Sequence, residues 1–368
     1  MIYMYVENQK KGVIKLNKGY KYRFYPTEEQ KQQIQLNFNA NRYVWNQFLA
    51  IKSFNYKEFG RKIGFSEMCL ILTMAKKSEE WLCGSDSTSL QQTLRQLDDS
   101  YKRFFKGLAK YPNFKSKRNL KESYTTKPNV KDKTIKIPKL GEIKIEFSRE
   151  LAVDKIGFCT ISKDSDRYYI SFNVEVSCKN KFAQTGEKIG IDVGIKSFAT
   201  ISTGEQFQIP KKLWKIESRI SFLQRKLSKR VKGSSNYEKL KKAINKLNFQ
   251  LANIRKDFQH KLSTDLVKRF DVIAIEDLNI KGMMKNRKLA RAIGRVSFYS
   301  FFNMLKYKCI EHEKELKILN RWFPSSKTCS CCGNYKTNLK LSERVYKCEC
   351  GLEIDRDLNA SRNILANA

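Results

Sequence analysis

Three carboxylates and four thiols carry the chemistry that this sequence could perform. Asp192 follows the apolar run KIGI (188–191) and precedes Val193 and Gly194. Glu276 closes the apolar run VIAI (272–275), and Asp357 stands in DRDLNASRNI, at the start of the last helical stretch. An acid at the end of a buried strand is costly unless a cation neutralises it. Carboxylates with no histidine beside them form a hard oxygen donor set, which favours Mg2+ or Mn2+. Two such ions would activate water and stabilise the leaving oxygen of a phosphodiester. Each acid alone has a plain alternative. Asp192 could cap a turn, Glu276 could pair with a lysine, and Asp355 or Asp357 could cap the last helix. The combination, in this strand context, is what points to metal-assisted hydrolysis.

The thiols are Cys329, Cys332, Cys348 and Cys350, in two short pairs separated by 15 residues. Pairs at this spacing can bring four thiolates to one tetrahedral Zn2+. Gly333 and Gly351 follow the pairs and let the backbone turn tightly behind the ligands. Cys331 is left over, because adjacent cysteines rarely reach the same metal, and the second pair is C-x-C where C-x-x-C is usual. Four protein ligands leave no position for water, so the zinc is expected to be structural. The remaining cysteines, Cys69, Cys83, Cys159, Cys178 and Cys309, are scattered. The first residues, MIYMYVENQKKGVIKL, have no apolar core and no small-residue cleavage site, so a cytosolic protein with reduced thiols is expected. No segment reaches the ~18 apolar residues that span a bilayer.

The elements that must position these groups follow from periodicity. Residues 17–46 read as a strand and then a helix opened by a Thr27/Gln30 capping box. Residues 47–110 read as helical, with Leu90, Leu94, Leu97, Tyr101 and Phe105 on one stripe. Strand-like alternation fills much of 111–185. Two strands are expected across 188–207. A helical hairpin follows, turning at Gly233 to Asn236, with Ile216, Ile220, Ile244 and Leu251 among its apolar positions. Then come the strand 271–277, a basic loop over 281–295, a helix with Phe298, Phe301 and Leu305, and a strand near 316–321. His260 and His312 lie on helices without partner motifs and read as structural.

Charge indicates the partner. The 368 residues carry 73 Lys+Arg against 37 Asp+Glu, a net of +36. A compact chain tolerates that self-repulsion best when a polyanion neutralises it, and nucleic acid is the usual one. From Lys102 to Lys139 there are 13 basic residues and two acids, interleaved with Phe104, Phe105, Tyr111, Phe114 and Tyr124. Lys115, Lys117 and Arg118 are candidates there for phosphate contacts. A solvated basic face over core aromatics is the alternative for any single residue.

The series GIDVGIKSFAT, IAIEDLNI, SSKTCSCCG, YKCECG and IDRDLNASRNI resembles the TnpB family of insertion-sequence proteins, relatives of the type V CRISPR effectors. YKYRFYPTEEQ, LQQTLRQLDDSYKRFF and YPNFKSKRNLKESYTT resemble it too; the first sixteen residues fall outside the pattern. The resemblance implies an α/β multidomain chain. A β-barrel wedge domain (1–46 and 111–185) would hold a helical recognition domain (47–110). An RNase H-like (RuvC) nuclease domain (186–324 and 354–368) would hold a zinc ribbon (325–353). It implies an RNA-guided DNA endonuclease of the prokaryotic cytosol, with guide RNA from the transposon end, double-stranded target DNA, and no membrane partner. One RuvC site would act, and the working unit would be a monomer with RNA. Carried over onto matching positions, Asp192, Glu276 and Asp357 are the catalytic, magnesium-binding acids, with Asp357 favoured over Asp355. Gln91, Gln92, Tyr124 and Thr125 become candidates for reading a short motif on the duplex. Two other functions use the same features: an RNA-guided regulator that no longer cuts, against which the intact acids argue, and a guide-independent transposase.

Overall fold

A computed structural model describes residues 15–117, 121–131, 134–147, 155–177, 181–339 and 343–368. The chain divides into two compact units, 1–177 and 178–368.

The first unit opens with strand β1 (Lys15–Phe24) and helix α1 (Glu28–Phe59), followed by α2 (Phe65–Ser78) and α3 (Ser87–Phe105). Strands β2 (Lys121–Thr126), β3 (Asn129–Lys131), β4 (Thr134–Ile137), β5 (Gly141–Glu142), β6 (Ile145–Glu146), β7 (Lys155–Asp164) and β8 (Arg167–Ser177) complete it. The main sheet runs β2-β7-β8-β1-β6, and β3-β4-β5 form a small second sheet. The capping box is present, with Thr27 accepting from Gln30 N–H and the Gln30 side chain accepting from Thr27 N–H. The α3 stripe buries Leu90, Leu94, Leu97 and Tyr101, while Phe105 is 60% exposed. Buried polar groups lock α1 to α3: Asn41 Nδ2 donates to Ser89 Oγ at 3.0 Å and Thr93 Oγ1 donates to Asn41 Oδ1 at 2.6 Å. Helix α1 runs unbroken through 46/47, the position read as a domain boundary. The strand-rich region ends at Ser177, earlier than the expected 185. Thr185 and Gly186 donate backbone N–H groups to Asp271 at 2.8 and 2.6 Å, which ties this segment to the second unit.

The second unit contains β9 (Lys188–Asp192), β10 (Ala199–Ile201), β11 (Gln206–Phe207), α4 (Lys211–Ser228), α5 (Ser235–Arg269) and β12 (Val272–Glu276). After these come α6 (Ile280–Met283), α7 (Arg287–Val296), α8 (Phe298–His312), β13 (Glu315–Leu319), β14 (Val345–Lys347), β15 (Glu353–Asp355) and α9 (Arg356–Ala366). Its sheet has the order β11-β10-β9-β12-β13. β10 is antiparallel to β9 and β11, whereas β12 is parallel to both β9 and β13. The segment 281–295, read as a loop, is largely helix. Gly282 lies in the short α6, capped by Asn279, and α7 buries Ile293 and Val296 beneath an otherwise basic surface. Two fully buried positions were too few to reveal its period. The hairpin of α4 and α5 turns where expected, with Ser234 accepting from Tyr237 N–H as the N-cap of α5.

The two central strands explain the placement of the acids. Side chains alternate across a sheet with period two. Ile189, Ile191, Ile273 and Ile275 share one core with Leu262, Leu266, Phe298, Phe301 and Leu305 from the long helices. The opposite positions are small: Gly190 pairs with Ala274. Ala274 packs with Ile364 of α9. A Cβ at Gly190 would lie 2.1 Å from Ser361 O and 2.6 Å from Leu365 N, both backbone atoms of α9. The absence of a side chain is what lets this helix cross β9 in backbone contact. Asp192 and Glu276 come two residues further along each strand, hence on the face that α9 covers.

Candidate active site and metal centre

Asp192 and Glu276 therefore end neighbouring parallel strands on one face. Asp357 reaches the same place from the first turn of α9. The three carboxylates interact. Burial, then the charge of Glu276, then that of Asp357 push the Asp192 carboxyl up to about 8, although Arg356 opposes the shift. Burial also raises Glu276, against a hydrogen bond donated by Ser325 Oγ. Groups held this far from their ordinary protonation mark a site that a cation would complete. Among the described residues the carboxylates are a looser set than the cysteines, whose ligand atoms all lie within 4.8 Å of one another.

Asp355 and Asp357 separate by geometry. Asp355 is the N-cap of α9, and its Oδ1 accepts from Asp357 N–H at 2.9 Å and Leu358 N–H at 3.1 Å. That carboxylate is engaged in capping. Asp357 is the one that acts on Asp192, with Arg356 Nε 3.7 Å from its Oδ1.

The four cysteines converge as their spacing predicts. Cys329 Sγ lies 3.7 Å from Cys350 Sγ, and Cys332 Sγ lies 3.5 Å from Cys348 Sγ. Four sulfurs placed ~2.3 Å from a central Zn2+ would be about 3.8 Å apart, so the thiols already outline that tetrahedron. Gly333 (φ +76°) and Gly351 (φ +90°) adopt the left-handed conformation behind each pair. Their N–H groups donate to the carbonyls of Cys329 and Cys348, both at 3.0 Å. Burial would raise the Cys329 thiol, but backbone N–H groups of Cys332 and Cys331, with bonds to Cys348 and Cys332, outweigh it and bring it down to about 7, whereas the Cys332, Cys348 and Cys350 thiols are raised. Cys331 is exposed and outside the set.

The other candidates divide. Gln91 is exposed and Gln92 half-buried on α3. Thr125 is half-buried, with Oγ1 accepting from Gln96 Nε2 at 3.4 Å and lying 3.1 Å from Thr160 Oγ1. Tyr124 is only 3% exposed and sits edge-on to Phe38, so it is a core residue and no base can reach its ring. The expectation that it touches nucleic acid is corrected; an aromatic in a basic stretch gave no sign of which way it faces. Lys115 anchors its backbone N–H on Asn46 at 2.8 Å and holds its ammonium 3.9 Å from the Trp45 ring centroid. Lys117 is exposed, and Arg118 lies outside the described residues. Reading the sequence also missed Ser325, the hydroxyl on Glu276. Its 49-residue separation leaves no local signal.

Comparison with known proteins places the chain among related sequences. Residues 171–287 match a family model described as "Probable transposase", 298–364 one described as "Cas12f1-like, TNB domain", and 16–62 one described as "Helix-turn-helix domain". The last region here is a strand followed by one long helix. A Streptomyces pristinaespiralis protein named "Putative RNA-guided DNA endonuclease" is 36% identical over 95% of this chain and 89% of its own length. An Escherichia coli (strain K12) protein of the same description, InsQ, is 30% identical over 95% of this chain and 91% of its own. "TnpB-like protein L79" of Acanthamoeba polyphaga mimivirus is 33% identical over 60% of this chain and 45% of its own. The fold is that of a solved chain titled "Cryo-EM structure of the Cas12f1-sgRNA-target DNA complex", with TM-score 0.59 and 14% identity, over 96% of this chain and 99% of that one. The α/β fold is shared with that solved chain, and the four-cysteine cluster falls within the residues that match the TNB-domain model. The chain belongs to the TnpB family.

Among the described residues no helix is long and apolar enough to cross a membrane.

Proposed function

We propose that this protein is an insertion-sequence-encoded, RNA-guided DNA endonuclease whose single active site consists of Asp192, Glu276 and Asp357. The observation that carries the reading is the convergence of these acids at the ends of β9 and β12 and the start of α9, where burial first, and then the charges of Glu276 and Asp357, raise Asp192 to about 8. In this reading residues 186–324 and 354–368 form the RNase H-like nuclease domain and 325–353 the zinc ribbon. The strands of the first unit form the wedge domain around the recognition helices. Guide RNA, double-stranded DNA and a monomeric working complex complete the proposal, with the protein confined to the cytosol.

The three carboxylates would hold Mg2+ or Mn2+, which when bound supplies an activated water and charge stabilisation at the leaving oxygen. The protein's own residues prepare that site. Ser325 fixes one oxygen of Glu276. Asp355 caps α9 and so aims its first turn, which carries Asp357. Asp192 must lose its proton to serve as a ligand, so metal binding is expected to strengthen as pH rises towards 8. The four cysteines would hold one structural Zn2+. Basic residues such as Lys115, Lys117 and Arg118 would track phosphates, and Gln91, Gln92 and Thr125 would lie near the motif-reading surface.

The test is co-expression with RNA from the genomic flank 3′ of the gene, followed by challenge with a plasmid library that carries a fixed target beside randomised bases. Guide-dependent cleavage that needs Mg2+, enriches one flanking motif and vanishes in Asp192→Ala is expected. Guided binding without cleavage would make the protein a regulator. Absence of bound RNA would return it to a guide-independent transposase.

A further inference from the structure

A hydrogen-bonded path joins the acids to the root of the cysteine-bearing segment. Ser325 is buried, and its Oγ donates to Glu276 Oε1. Its own carbonyl accepts from Asn363 Nδ2 at 2.8 Å. The same nitrogen donates to Thr328 O at 2.6 Å. One turn earlier on α9, Asn359 Nδ2 donates to Thr328 O at 2.7 Å, and its Oδ1 accepts from Ser330 N–H at 2.9 Å. Ser330 follows Cys329, one of the four thiols.

Asn359 and Asn363 are buried on one face of the helix that carries Asp357. An amide held away from water must find its partners in the protein, and the partners here are the backbone groups of 325–330. Apolar side chains would pack at these positions but could not fix that backbone. Asparagine at both makes the loop a rigid extension of α9. The loop in turn delivers one hydroxyl, to one oxygen of Glu276. A carboxylate that ends a strand can otherwise rotate freely about its last torsion.

We propose that α9 braces the active site through the root of the zinc-binding segment: Asn359 and Asn363 fix the backbone of that root so that Ser325 stays against Glu276, which makes Ser325 a positioning residue for metal capture. The inference rests on the nuclease reading above for its consequence and on the hydrogen bonds alone for its geometry. Groups that orient metal ligands typically change affinity by about 10–100-fold.

The experiment uses the full chain in complex with its RNA and follows Mn2+ binding by electron paramagnetic resonance of the free ion. Zinc content, RNA affinity and the Mg2+ dependence of guided cleavage are measured in parallel. Ser325→Ala and Asn363→Ala should weaken Mn2+ binding about tenfold or more and raise the Mg2+ requirement to match. Zinc content and RNA affinity should stay at the wild-type level, and Ser325→Thr, which keeps the hydroxyl, should restore binding. Wild-type Mn2+ affinity in Ser325→Ala would overturn the proposal. So would a parallel loss of zinc and RNA, since Ser325 would then serve folding alone. If the wild-type complex does not cleave guided DNA but Ser325→Ala still weakens Mn2+, the nuclease reading fails and the brace stands.

Discussion

In the absence of free divalent cations, the protein should become more stable when Asp192 is replaced by asparagine, and the gain should grow with pH. In the unfolded chain this carboxyl titrates in the ordinary aspartate range, near 3.8; in the fold it is pushed up to about 8. Between those values the unfolded state sheds its proton while the folded state keeps it. Stability therefore falls as pH rises, by up to about 1.36 kcal/mol per pH unit, and levels off above the folded value. A shift of roughly four units sets a ceiling of about 6 kcal/mol. Relaxation and water entry at a buried charge reduce such penalties, so about 3 kcal/mol is expected. Asparagine has nearly the same shape and never charges. The assay is urea unfolding of zinc-loaded protein kept free of Mg2+, at about pH 5, 7 and 9. The gap should be smallest at the acid end, already about 1.6 kcal/mol at pH 5 because the unfolded carboxyl is mostly ionised there, and should widen towards the alkaline end. Mg2+ should then stabilise the wild type selectively and narrow the gap, because only its folded state gains a ligand. Parallel pH profiles would refute the argument that burial and neighbouring acids load this side chain.

Other perturbations probe other parts. Cys332→Ser should remove the zinc and open 325–353 to protease, whereas Cys331→Ser should keep both zinc and resistance; equal zinc content in the two variants would contradict the ligand assignment. Gly190→Ala places a methyl against the backbone of α9 and should cost about 3 kcal/mol or more, read as a lowered melting temperature; an unchanged melting temperature would mean that α9 does not cross β9 so closely. Asp355→Ala should cost only about 1 kcal/mol of stability as a lost cap, whereas Asp357→Ala should lower guided cleavage by about 10³-fold or more. The reverse ranking in a plasmid cleavage assay would exchange their roles.

Much of the site was legible because strong local rules coincide there. KIGID and VIAIE are apolar runs that end in acids, and a buried strand is the simplest reading of each. The cysteine spacing is nearly a blueprint for its own tetrahedron. The alternation of isoleucine with Gly190 and Ala274 was also present, but its meaning depends on a helix that arrives from the far end of the chain. Helix α7 was hidden by its arginines and lysines, since only Ile293 and Val296 report its buried side. Tyr124 was offered by the resemblance, and a matching position in a motif does not say which way its ring faces. Ser325, Asn359 and Asn363 bond to groups distant in sequence or to backbone atoms, and neither leaves a trace in composition. The continuous α1 shows that a change in texture, here near residue 46, need not interrupt a helix.

The order of these parts along the chain bears on how the protein is made. A ribosome delivers β9 and β12 long before α9, and domains tend to fold as they emerge. The first unit and most of the central sheet can form while the slot above Gly190 is still empty, so the set of acids closes only when α9 docks. In the proposed reading, a reading frame broken anywhere between β13 and α9 yields a product with its basic first unit and two of its three acids. Such a product would occupy nucleic acid without cutting it. Decay of the gene would then pass through a silent competitor of the intact enzyme, which would limit the damage that stray copies of the element could inflict on their host.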